Sequence, residues 1–171
     1  YSDTRATPGQ DPVGLAQLAP LSRSKTVALA SPEMASTERP GMSKSIQVLL
    51  RAHDLRPRKG LGQNFLVDPS ALQRIVAAAD LGPDDVAVEV GSGAGTLTRA
   101  LAARAGSVLA IELDERFVAI LRQELADLPN VHILHGDVLK LNLVDLGLTS
   151  QRYKVVANLP YYITSAILRY F

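Results

Sequence analysis

Cysteine is absent from the 171 residues. That excludes a disulfide scaffold and a thiolate metal site, and it suits a reducing cytoplasm. No apolar run approaches the roughly 20 residues needed to cross a bilayer, so no membrane partner is expected. The first residues lack the charged start and apolar core of a secretory signal. The net charge is +1, so the whole-chain balance selects no partner. No internal repeat is visible.

What is present suits one domain with a core. Apolar residues make up 47% of the chain, enough to bury a substantial interior. Charge matters locally. From 44 to 59 the chain carries Lys44, Arg51, Arg56, Arg58 and Lys59 against the single acid Asp54. Such a basic arm can meet phosphate; equally, it can be a solvated segment with no partner. Residues 1–41 are rich in Pro, Ser, Thr, Ala and Gly without a sustained period, and are expected to be a disordered extension. Arg5, Arg23 and Lys25 would fit a mitochondrial targeting peptide, but Asp3, Asp11 and Glu33 count against it. Met34 and Met42 are candidate native starts.

Order is expected from Ser45. Residues 42–67 read as a basic arm and a glycine-punctuated loop, and 68–171 as an alternation of helices and strands. Asp68-Pro69 predicts a helix start, by N-cap and first-turn proline, and Gly82-Pro83 its end. "VAVEV" (86–90), "SVLAIEL" (107–113), "VHIL" (131–134) and "YKVVAN" (153–158) read as strands. Helices are expected after the glycine turn at 91–95, after Asp114 and after Pro160. Strands alternating with helices imply an α/β fold with a parallel, doubly wound sheet. The chain is expected to stop after the fourth strand of a larger domain, leaving the flank of that strand exposed and prone to associate.

In such sheets ligands bind beyond the carboxyl ends of the strands. Those ends are Glu89–Gly95, Glu112, Gly136-Asp137 and Asn158–Tyr161. Gly91, Gly93 and Gly95 allow a tight turn and close backbone approach; the competing reading is a turn that needs glycine for packing alone. Thr96 stands where a dinucleotide fingerprint continues, so G-x-G-x-G fits the amino-acid portion of S-adenosylmethionine better than a pyrophosphate. Glu112 lies about 20 residues on, the distance that sets a carboxylate over a ribose. Asp137 can accept from an adenine amine, or simply shape a turn. His132 and His135 lack a carboxylate at ligand spacing, so no metal is expected.

Opposite such a donor, "NLPYYIT" gains a chemical reading. The side-chain oxygen of Asn158 and the carbonyl of Leu159 can accept the two N–H groups of an adenine amine. Pro160 stiffens the turn. Tyr161 offers a face on which an extruded base can stack. The competing reading is a strand-to-helix turn with a packing tyrosine.

With these motifs in order, the stretch from Leu55 to Phe171 resembles the ribosomal RNA adenine N6-dimethyltransferases, most like the small-subunit branch. The resemblance implies a Rossmann-like class I S-adenosylmethionine-dependent fold. In "GLGQNFL" (60–66) it implies that Asn64 and Leu66 touch the donor. "EVGSGAGTLT" supplies Gly91 and Gly93, "IELDE" supplies Glu112, and "GDVLK" supplies Asp137 with the Val138 backbone. "NLPYYIT" supplies Asn158, Leu159, Pro160 and Tyr161 as the catalytic group, with Asn158 also touching the donor.

Arg56, Arg58 and Lys59 are then expected on RNA. The implied partner is small-subunit rRNA in an immature particle, and the implied protein is a cytoplasmic enzyme, monomeric when full length. Departures are Ser92-Gly93 where the family usually has Pro-Gly, and Tyr162 where asparagine is common. The family's remaining strands and helical C-terminal domain are missing from 1–171, so weak activity is expected of this chain. Two alternatives are an rRNA-binding assembly factor with a vestigial donor site and a large-subunit methyltransferase of the macrolide-resistance type. Leu159 argues against a DNA adenine methyltransferase, which usually carries Pro-Pro before the aromatic.

Overall fold

The computed structural model describes residues 68–148 and 153–171, and the backbone of 27–30. Arg56, Arg58, Lys59, Asn64 and Leu66 lie outside the described residues, as does the expected helix after Ser45. In chain order the elements are β1 (Val27–Ala30), α1 (Pro69–Ala78), β2 (Val86–Val90), α2 (Thr96–Ala102), β3 (Ser107–Glu112), α3 (Glu115–Glu124), β4 (Val131–His135), a 3-10 turn (Val138–Lys140), β5 (Tyr153–Asn158) and α4 (Tyr161–Tyr170).

Five parallel strands form one sheet in the order β1-β5-β2-β3-β4. The chain winds outward from β2 through β3 to β4, then returns to the other side of β2. The order therefore reverses between β2 and β5, which is where an open parallel sheet leaves a crevice.

Strands β2 and β3 are buried along their whole length, as strands covered on both faces must be. On one face Ala87, Val108 and Val156 pack with Ile75 and Ala79 of the α1 segment and Leu97 and Leu101 of α2. On the other, Val88, Leu109, Ile111 and Val155 pack with Leu146, Leu148 and Ile167 of α4. Buried Phe117, Val118, Ile120 and Leu121 anchor α3, and Arg99 of α2 reaches Asp127 just beyond it.

Several expectations change. Residues 27–30 are not without structure: they pair in parallel with Val155–Asn158. "VALA" is short and apolar, too brief for a periodic signal, but an open strand edge supplies the partner that local propensity cannot. The outer flank of β5, expected to be exposed, thus carries β1. Helix α1 ends at Ala78 rather than at Gly82-Pro83, because Ala79 closes it and Asp80 turns left-handed at φ 47°, a conformation Asp tolerates. Strand β3 stops at Glu112, with Leu113 outside it, and β4 runs one residue further, to His135.

Candidate functional site

Parallel pairing brings the carboxyl ends of β2, β3, β4 and β5 to one edge. The backbone stitches them together beyond the strands: the Gly91 N–H donates to the Ile111 carbonyl at 2.9 Å, and the Gly136 N–H to the Glu112 carbonyl at 2.9 Å. Across the reversal point, a Cβ placed on Gly91 would sit 3.9 Å from Cδ2 of Leu159. The glycine turn and the "NLPY" turn are therefore immediate neighbours.

In the glycine turn, Gly91, Gly93 and Gly95 all hold positive φ, of 74°, 53° and 81°. At Gly95 the need is double, since a side chain there would also press to 2.9 Å from Cδ2 of Leu121. Glu112 is 7% exposed. One of its oxygens accepts the Gly93 N–H and the other the Asp114 N–H, both at 2.8 Å. These bonds tie β3 to the turn after β2 and fix the carboxylate. A carboxylate has about four lone-pair positions, so about two remain for a ligand.

Asp137 caps the 3-10 turn, accepting from the Leu139 N–H at 3.1 Å, with the Lys140 ammonium 3.6 Å away. Val138 is buried behind it. At the end of β5 Asn158 is half-buried, Leu159 buried and Pro160 half-buried. Pro160 caps α4 at φ −62°, and its carbonyl accepts from the Thr164 hydroxyl at 3.0 Å. Tyr161 is 53% and Tyr162 69% exposed, large rings held out at the mouth of the crevice. The structure thus gathers Gly91, Gly93, Glu112, Asp137, Val138 and Asn158–Tyr161 at one sheet edge. His135 accompanies them only as a surface residue, with Nε2 3.2 Å from the Leu113 carbonyl. Among the described residues no three His, Asp or Glu side chains converge as a metal ion requires, and no helix is long and apolar enough to cross a membrane.

One group escaped sequence reasoning. Glu89, inside β2, is 1% exposed, and its Oε2 has no hydrogen-bond partner among the described residues. Burial pushes its carboxyl up to about 8; the Thr98 and Ser92 hydroxyls oppose that rise, and the neighbouring Glu112 adds to it. Neither hydroxyl completes a hydrogen bond of normal geometry. The signal was an acid at an inward position of an otherwise apolar strand.

The sequence matches a family model, "Ribosomal RNA adenine dimethylase", over residues 55–170. A relative named ribosomal RNA small subunit methyltransferase A from Dehalococcoides mccartyi (strain 195) is 45% identical over 138 residues, spanning 81% of this chain and 47% of its own length. A protein of the same name from Geobacter metallireducens is 49% identical over 121 residues, spanning 70% and 44%. The chain thus spans about half the length of the curated relatives it matches. Among solved structures, the 23S rRNA methyltransferase ErmE aligns with TM-score 0.57 and 37% identity over 63% of this chain and 42% of that one. A dimethyladenosine transferase from Plasmodium falciparum aligns with TM-score 0.54 and 27% identity over 62% and 37%. The motifs, the sheet order and these likenesses agree: the chain belongs to the ribosomal RNA adenine dimethylase family.

Proposed function

We propose that this chain carries the donor-binding and catalytic edge of an enzyme that methylates adenine N6 in small-subunit rRNA, using S-adenosylmethionine. The observation that carries the reading is the junction at the sheet's reversal point, where the glycine turn after β2 lies against Leu159 of the "NLPY" turn. The residues fit the donor: the turn approaches on glycine backbone, and Glu112 is held rigidly with lone pairs to spare for ribose hydroxyls. Asp137 and the Val138 backbone would meet the adenine end. When bound, S-adenosylmethionine supplies an electrophilic methyl group.

The chain's own residues do the rest. Adenine N6 is a weak nucleophile because its lone pair is delocalised into the ring. The Asn158 oxygen and the Leu159 carbonyl accept its two N–H groups, orient the nitrogen and favour the positive charge that develops there. Pro160 stiffens that turn, and Tyr161 stacks the extruded base. The basic segment with Arg56, Arg58 and Lys59 would hold phosphate, and Asn64 and Leu66 would touch the donor. The likeness to a 23S rRNA methyltransferase is the observation behind a second reading, with large-subunit rRNA as substrate; the higher identity of relatives named for the small subunit favours the first.

The test is transfer of labelled methyl groups to immature small-subunit particles. Asn158→Ala is expected to lower transfer about a hundredfold while leaving donor affinity nearly unchanged, as when one positioned acceptor is lost. An equal loss of donor binding contradicts the role given to Asn158.

A further inference from the structure

Beneath the glycine turn lies a polar cluster for which the proposed chemistry has no use. Glu89 is 1%, Ser92 6% and Thr98 0% exposed, and Oε2 of Glu89, Oγ of Ser92 and Oγ1 of Thr98 all lack hydrogen-bond partners among the described residues. Unsatisfied buried polar atoms are costly, and three of them meet in one place. Glu89 lies in register between Ala110 of β3 and Val156 of β5, two residues before Gly91. Its carboxyl lies within reach of Ser92, in the turn proposed to receive the donor's amino-acid portion, and of Thr98 in the helix that follows.

We propose that Glu89 is a positioning residue that holds a proton beside the glycine turn and releases it when a cationic ligand occupies that turn. The inference rests on the donor reading above. Its physics is local. An ionised carboxylate this deep, beside Glu112, is unfavourable without a counter-charge. The methyl donor brings two cationic groups, a sulfonium and an ammonium, and either one nearby favours the ionised form. The O–H bond of the Glu89 carboxyl then breaks, the proton passes to buffer, and the carboxylate stays behind with the Ser92 and Thr98 hydroxyls placed to favour it.

Among the described residues, no other charge on the packed elements substitutes for that cation. Lys154 of β5 commits its ammonium to Asp85, at 3.0 Å, and to the Asp80 carbonyl. Arg99 of α2 is turned outward to Asp127. Arg74 of α1 is exposed at the surface. The charge that acts on Glu89 is that of Glu112, and it opposes ionisation.

The experiment is calorimetry of S-adenosylmethionine binding to the 171-residue chain near pH 7.5, in buffers of different ionisation enthalpy. The wild-type chain is expected to release about half a proton or more beyond Glu89→Gln, the variant that subtracts any proton lost by the ligand itself. S-adenosylhomocysteine, which keeps the ammonium of the amino-acid portion, should release protons too; no release with it beyond Glu89→Gln would contradict the placement of Glu89 beside that portion. Equal proton counts for wild type and Glu89→Gln overturn the proposal and leave the donor site standing. Failure of the wild-type chain to bind donor overturns both. Should Glu89→Gln not fold, infrared difference spectra of the wild type decide: a protonated-carboxyl band lost on saturation supports the proposal, and its absence or persistence refutes it.

Discussion

Glu89 and Asp85 set opposite limits on stability. Burial works to raise Asp85, but the Gly82 N–H and the Lys154 ammonium outweigh it and hold the carboxyl below its usual range. Its contribution is present above the ordinary carboxylate range and is lost as pH falls through the depressed value. Glu89 is raised, so stability is full below its unfolded value and declines as pH rises from 4.5 to about 8. The two together predict a maximum in mild acid. Glu89→Gln should flatten the fall toward pH 8, a difference of roughly a few kcal/mol in urea unfolding; an unchanged slope would remove the buried-proton account.

Gly95→Ala should destabilise by about 1–3 kcal/mol, from left-handed strain plus pressure on Leu121, as a lower urea midpoint would register. Glu112→Ala should weaken donor binding in calorimetry, since one carboxylate both braces the turn and would meet the ribose. At this scale the sequence was legible in position: Glu112 and Asn158 stand at the strand ends where they were expected. It was silent on Glu89, whose role depends on Thr98 and Ser92 folding over it.

Elements were legible where local chemistry decides them. Asp68 and Asp114 accept from the Ser70 and Arg116 N–H groups, as N-caps do, and β2 and β5 have the limits their apolar runs announce. Asp114→Ala should cost about 1 kcal/mol, the usual contribution of a cap, with helix α3 fraying first in hydrogen exchange. Legibility failed where the partner is distant. "VALA" becomes a strand because β5 offers an edge, and α1 stops short because Asp80 takes a left-handed turn that serves the Lys154–Asp85 contact nearby. Neither fact is local to the segment that shows it.

Across the whole molecule, one arrangement carries the functional reading: a sheet whose order reverses between β2 and β5, with four strand ends at one edge. The same topology explains the role of β1, which occupies the flank of β5. Deleting residues 1–30 should expose that flank and produce concentration-dependent association in sedimentation; a strictly monomeric truncated chain would show that β1 does not protect it. The most direct measurement of the central claim is a crystal structure of the chain with S-adenosylmethionine. The account predicts the donor's ribose on Glu112 and its methyl carbon turned toward Asn158 and Leu159. A donor lying on the opposite face of the sheet, or a methyl pointing away from the β5 turn, would contradict it.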